Sequence, residues 1–166
     1  MRRLLSLFFL FTALVAGAQT RNYADNASGT FVFGLDSYFY GSSGSLEFDA
    51  YGEHFQASVS SSGVFVNGRF LEAGGDVVVG IHDFTEDRQP ELVLAHRLSA
   101  SSVSVSVYAR QGGQWKLTGQ MRGTGGVTEV RVFRQVVSFR RGDVLYSWTW
   151  HGSRFDFKAS DGSPEP

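Results

Sequence analysis

From Ser102 to Tyr108 the chain alternates strictly, with Val103, Val105 and Val107 on one side and Ser102, Ser104 and Ser106 on the other. A period of two marks a β-strand, and no equally long segment carries the helical period. The strand runs into Gly112-Gly113, where a two-residue turn predicts a hairpin pairing Tyr108 with Leu117 and Arg110 with Trp115. "WTWHGSRFDF" repeats the device, and a turn at Gly152-Ser153 sets Trp150 opposite Phe155 and Trp148 opposite Phe157. "FRRGDVLY" is a third hairpin, with its turn at Arg141-Gly142 or Gly142-Asp143. Upstream, "TFVFGLDSYFY", "SLEFDAYGEHFQASV", "GVFVNGRFLEA" and "DVVVGIHDF" read as further strands separated by Gly and Ser clusters. The pattern predicts an all-β fold, an antiparallel meander of about eight strands arranged as a sandwich, a barrel or propeller-like blades. A shift of 46 residues aligns Gly34 with Gly80, Leu35 with Ile81, Leu46 with Leu92 and Phe48 with Leu94, a spacing that suits a four-stranded blade. The chain holds only about three such units, too few for a closed propeller.

The first residues break the pattern. Arg2 and Arg3, the apolar run Leu4 to Val15 and the small residues Ala16 and Ala18 form the three-part plan of a secretory signal. Cleavage after Ala18 removes 18 of the 166 residues, leaving 148 that begin at Gln19. The expected organisation is a signal peptide over 1–18, one all-β domain over 19–158 and a disordered tail over 159–166, where "SDGSPEP" offers no apolar anchor. No apolar run is long enough for a spanning helix, so the expected location is secreted or periplasmic. Without Arg2 and Arg3 the 15 basic residues fall to 13 against 16 acidic, a net charge of −3 that argues against nucleic acid as the partner. The chain has no Cys, so disulfides and an N-terminal lipid-bearing Cys are both excluded, and 15 Phe are the obvious material of its core.

Candidate chemistry concentrates in "DFTEDRQPEL". Asp83, Thr85, Asp87, Gln89 and Glu91 stand at alternate positions and carry oxygen donors, the arrangement by which a tight loop supplies a hard cation such as calcium. With the strand that follows, "VVVGIHDFTEDRQPELVLAHR" resembles the acidic loop of FG-GAP and VCBS type repeats, the units of integrin-like propellers and of many secreted bacterial proteins. Asp83, Asp87, Pro90, Glu91, Leu92 and Val93 match that pattern over one unit of about twenty residues. The resemblance implies calcium on Asp83, Asp87 and Glu91. The chain departs from the family at Thr85, where a carboxylate or amide is usual, and at Arg88, where Gly permits the sharp turn. Both changes lower the affinity expected for the metal. The competing reading is a metal-free turn, stiffened by Pro90 and held by bonds from backbone N–H groups to Asp83 and Asp87.

No catalytic constellation is present. His54, His82, His96 and His151 lack ligand spacing on a helix, no Gly-x-Ser-x-Gly elbow occurs and there is no Cys nucleophile. Glu47 and Asp49 share one strand face and read as solvent-facing carboxylates. "SYFY" and "YSWTW" offer aromatics that either stack on sugars or build the core, and for Tyr146, Trp148 and Trp150 the period of two favours the core. Three function classes follow: a non-enzymatic binding module for a protein or glycan ligand, with calcium at most structural; a small eight-stranded outer-membrane barrel; and a secreted hydrolase with an acidic site. The first fits best, because "DFTEDRQPEL" and "SFRRGD" interrupt the outward apolar face that a barrel requires.

Overall fold

The computed structural model describes residues 31–166, so the expected signal peptide and the residues just after its cleavage site lie outside the described part. All the regular structure there is β. Two short leading strands, β1 (Val32–Phe33) and β2 (Ser37–Gly41), precede three four-stranded meanders. The first meander is β3 (Gly44–Ala50), β4 (Glu53–Ser60), β5 (Gly63–Val66) and β6 (Arg69–Glu72). The second is β7 (Val77–His82), β8 (Glu91–Ser99), β9 (Ser102–Gln111) and β10 (Gln114–Gly123). The third is β11 (Val130–Phe133), β12 (Val136–Arg141), β13 (Val144–Trp150) and β14 (Phe155–Ala159). β2 extends the second meander beside β7, and β1 extends the third by pairing parallel to β11. Gly34 lies between these two strands, where the chain passes from one sheet to the other. It holds φ at +91°, and a Cβ there would lie 1.9 Å from the Val132 carbonyl oxygen, so only Gly fits the crossing.

The sheets stack in a sandwich-like arrangement and none closes into a barrel. One core joins the second and third meanders through Val93, Val105, Val107, Met121, Val137, Phe139, Trp148 and their neighbours. The other joins the second to the first through Phe48, Phe55, Val64, Val79, Leu92 and Leu94. The middle sheet is therefore covered on both faces, and β7 is buried at every position. Val103, Val105, Val107, Leu92, Leu94, Trp148 and Trp150 are all buried, as their alternation requires. The Ser face of β9 is buried as well, with Ser106 only 2% exposed. Alternation in sequence therefore separates two cores here, and solvent touches neither.

The turns explain the strand count, which is fourteen among the described residues. Tyr51-Gly52 and Asn67-Gly68 both adopt positive φ, the mark of the two-residue turns that match the twist of a hairpin. They divide "SLEFDAYGEHFQASV" into β3 and β4 and "GVFVNGRFLEA" into β5 and β6, each of which reads as one strand by periodicity alone. The predicted registers hold for Tyr108 with Leu117, Arg110 with Trp115, Trp148 with Phe157 and Trp150 with Phe155. Arg141 pairs with Val144, which sets the third turn at Gly142-Asp143. The shift of 46 residues sets β3 against β8, the first strand of one meander against the second strand of the next, and so does not repeat the meander itself. The last residues carry polar anchors where the sequence shows no apolar one. Ala159 pairs with Tyr146, the Ser160 hydroxyl accepts from the Leu145 N–H at 3.0 Å, and Glu165 accepts from the Trp148 indole at 2.7 Å.

Candidate functional site

The acidic loop connects β7 to β8, and its oxygens face its own backbone. Asp83 Oδ1 accepts from the Thr85 hydroxyl at 3.3 Å and the Asp87 N–H at 3.2 Å, while Oδ2 accepts from the Arg88 N–H at 2.7 Å. Asp87 Oδ1 accepts from the Gln89 N–H at 2.8 Å, and the Gln89 side-chain carbonyl accepts from the backbone N–H of Tyr51. Glu91 is 2% exposed and accepts from the Phe84 N–H at 2.9 Å. The structure thus brings Asp83, Thr85, Asp87, Gln89 and Glu91 into one turn, but each side-chain group is already bonded to the protein. Among the described residues no group of three or more His, Asp or Glu side chains is placed to hold a metal ion. The turn keeps its sharp geometry without Gly, since Glu86 and Arg88 take φ of 58° and 69°. Left-handed backbone at such residues is strained, and here it is held by the bonds to Asp83.

Burial dominates the electrostatics of this loop. It pushes the Glu91 carboxyl up to about 7, and the charges of Asp83 and Asp87 push the same way against the Phe84 N–H. Burial also raises Tyr51, with Glu91 and Asp87 adding to the effect, because its ring lies against the loop.

Tyr51 links the loop to a groove that the sequence does not announce. Its ring meets that of Trp115 edge to face at 6.2 Å, and Trp115 also meets Phe48 and Phe55. The groove, about 400 Å³, opens between the tip of the β9–β10 hairpin and the first meander. Arg110 and Trp115 pair across the hairpin and form one wall. Glu53, Phe55, Val66, Arg69 and Leu71 form the other. Strand alternation explains that set: Val66 is buried toward the middle sheet and Arg69 is its cross-strand partner, so both face the groove. Arg110 is locked in place. It donates to Glu53 at 2.8 Å and lies 4.7 Å over the Phe55 ring. The Trp115 indole N–H is enclosed and has no hydrogen-bond acceptor.

A third polar cluster sits where β6 crosses the middle sheet. Glu72 accepts from the Tyr108 hydroxyl at 2.7 Å and bonds His96 at 2.6 Å. Burial by itself would raise the Glu72 carboxyl, but these bonds hold it below its ordinary value. The cluster pins the first meander to the second through groups that would otherwise be buried unpaired. Glu47 and Asp49 face solvent as expected, with His54 bonded to Asp49 at 2.8 Å. Tyr146, Trp148 and Trp150 are core residues.

No protein-family model matches the chain, and no curated protein or solved structure matches it. The groove escapes a reading of the sequence because its two walls come from separate sheets. The pairing of Arg110 with Trp115 is the one visible trace of it, a cation and an indole set side by side next to a Gly-Gly turn.

Proposed function

We propose that the chain is a secreted or periplasmic, non-enzymatic binding module whose groove at Trp115 takes a glycan. The groove carries this reading. Its volume falls in the range of small-ligand sites, roughly 300–1,000 Å³, and it combines an indole wall with a fixed Arg110–Glu53 pair and the Gln114 amide at the hairpin tip. Sugars are recognised by that mixture, an apolar ring face for stacking and planar polar groups for the hydroxyls. The export signal read in Met1 to Ala18 supports the location, and the likeness of the acidic loop to FG-GAP and VCBS units supports a binding role over an enzymatic one.

Fluorescence tests the reading directly, since of the 3 Trp the other two are only 2% and 7% exposed. A panel of neutral and charged oligosaccharides is expected to contain a ligand that shifts the emission of Trp115. Trp115→Phe should abolish the shift and weaken binding about tenfold, equivalent to about 1.4 kcal/mol, in a variant shown by its melt to be folded. A panel that neither shifts the emission nor retains the protein overturns the reading.

The acidic loop enters this proposal as a brace behind the groove. A calcium ion would compete with bonds that Asp83, Asp87 and Glu91 already make to the backbone, so its affinity is expected to be no tighter than millimolar. Ten millimolar calcium should then add at most about 1.4 kcal/mol, a rise of a few degrees in Tm that Asp83→Ala removes. A rise of ten degrees or more would show a dedicated calcium site.

A further inference from the structure

We propose that the groove selects glycans bearing a carboxylate, and that Arg69 is the residue that binds it. The inference rests on the reading of the groove as a glycan site and adds the class of sugar. Three charged side chains line the groove, Glu53, Arg69 and Arg110. Glu53 and Arg110 neutralise each other at 2.8 Å, and Arg110 is further clamped between the rings of Phe55 and Trp115, at 4.7 Å and 5.9 Å. Its charge is therefore compensated, and it offers the ligand a fixed polar group without a net charge.

Arg69 differs on each count. It is exposed, at the first position of β6, immediately after the Asn67-Gly68 turn. Among the described residues it makes no side-chain hydrogen bond, ion pair or ring contact, whereas Arg110, the other Arg lining the groove, is held by Glu53 and lies over the Phe55 ring. Its cross-strand pairing with Val66 directs it to the groove side of the sheet. The turn that positions it is rigid: the Asn67 side chain accepts from the Gln56 N–H at 2.8 Å, and the Asn67 N–H donates to the Gln56 carbonyl at 2.9 Å. The groove therefore carries one uncompensated positive charge on a fixed hairpin, facing a wall that offers an indole ring.

A guanidinium presents its donors as a planar fork that matches a carboxylate with two parallel bonds. A uronic acid unit supplies that carboxylate together with a ring for Trp115 and hydroxyls for Gln114. A sulfate ester supplies the charge without the planar match, and a neutral sugar supplies neither.

The test compares three probes on the intact protein by calorimetric or fluorescence titration: an oligogalacturonide, a neutral oligosaccharide of the same length and a sulfated one. The oligogalacturonide is expected to bind at least tenfold tighter than the neutral probe and to weaken with added salt. Arg69→Gln should lower the affinity for the oligogalacturonide at least tenfold more than the affinity for the neutral probe, and Arg69→Lys should restore only part of the difference. Arg69 is exposed, so both variants are expected to melt with the wild type. Equal affinity for the acidic and neutral probes overturns the role of Arg69 and leaves the glycan reading standing. Equal affinity for uronate and sulfate overturns the selection of carboxylate. Binding of none of the three overturns the glycan reading itself.

Discussion

Replacing Trp148 with Ala is expected to cost the fold roughly 3–5 kcal/mol. Trp148 is 2% exposed and lies in the sheet between Val137 and Phe157 as cross-strand partners. Its ring centre is 4.8 Å from that of Phe139 and 5.0 Å from that of Phe157. Strands on both sides and a second sheet beneath limit how far the surroundings can collapse into the space left behind. The substitution also removes the indole N–H that donates to the Glu165 carboxylate at 2.7 Å, a bond that ties the C-terminal residues to the sheet. A domain of this size has a stability of about 5–15 kcal/mol, so a loss of that order takes a large share of the total. Equilibrium urea unfolding should show the midpoint falling sharply with little change in slope, and Tm should drop by on the order of 10 °C. A loss below about 1 kcal/mol would place the ring at the surface, and Trp148 would then compete with Trp115 as the sugar-stacking residue.

Elements whose cause is local were legible in the sequence. The register of β9 with β10 follows from Gly112-Gly113, which take φ of 57° and 74°, and from the alternation on either side. The aromatic pairs of β13 with β14 follow in the same way from the turn at Gly152. What the sequence hides is which face meets which. Ser104 and Ser106 look like solvent-facing residues, yet the first meander covers them, and Ser106 lies near the Glu72 and Tyr108 side chains. Small hydroxylated side chains serve that interface because they let the sheets approach and still satisfy their own polar atoms. The acidic loop was legible as a structured turn and opaque in one respect. Spacing makes Glu91 equivalent to Asp83 and Asp87, whereas the fold buries it at the first position of β8, opposite His82.

That difference makes Glu91→Gln the most informative change in the loop, with a sign set by the direction of its titration. The Glu91 carboxyl titrates near 7 in the folded chain against an ordinary value of 4.5, so the fold favours its protonated form. The stability it contributes is fully present below pH 4.5 and is lost as the pH rises through 7. Across that window the loss amounts to about 3 kcal/mol, and no large solvent discount applies to a residue only 2% exposed. Gln keeps the shape and the oxygen that accepts the Phe84 N–H, and it removes the charge that Asp83 and Asp87 repel. Wild type and variant should therefore unfold at similar denaturant concentrations near pH 4, with the variant pulling ahead by up to about 3 kcal/mol at pH 8. Taking the difference between the two curves cancels the shifts of Glu72 and His82, whose hydrogen-bonding and charged partners, His96 and Tyr108 for the first and Asp36, Arg134 and Asp83 for the second, are the same in both proteins. Parallel stability curves from pH 4 to 8 would mean that Glu91 titrates at the same pH in the folded and unfolded chain, and that burial in the loop does not favour its protonated form.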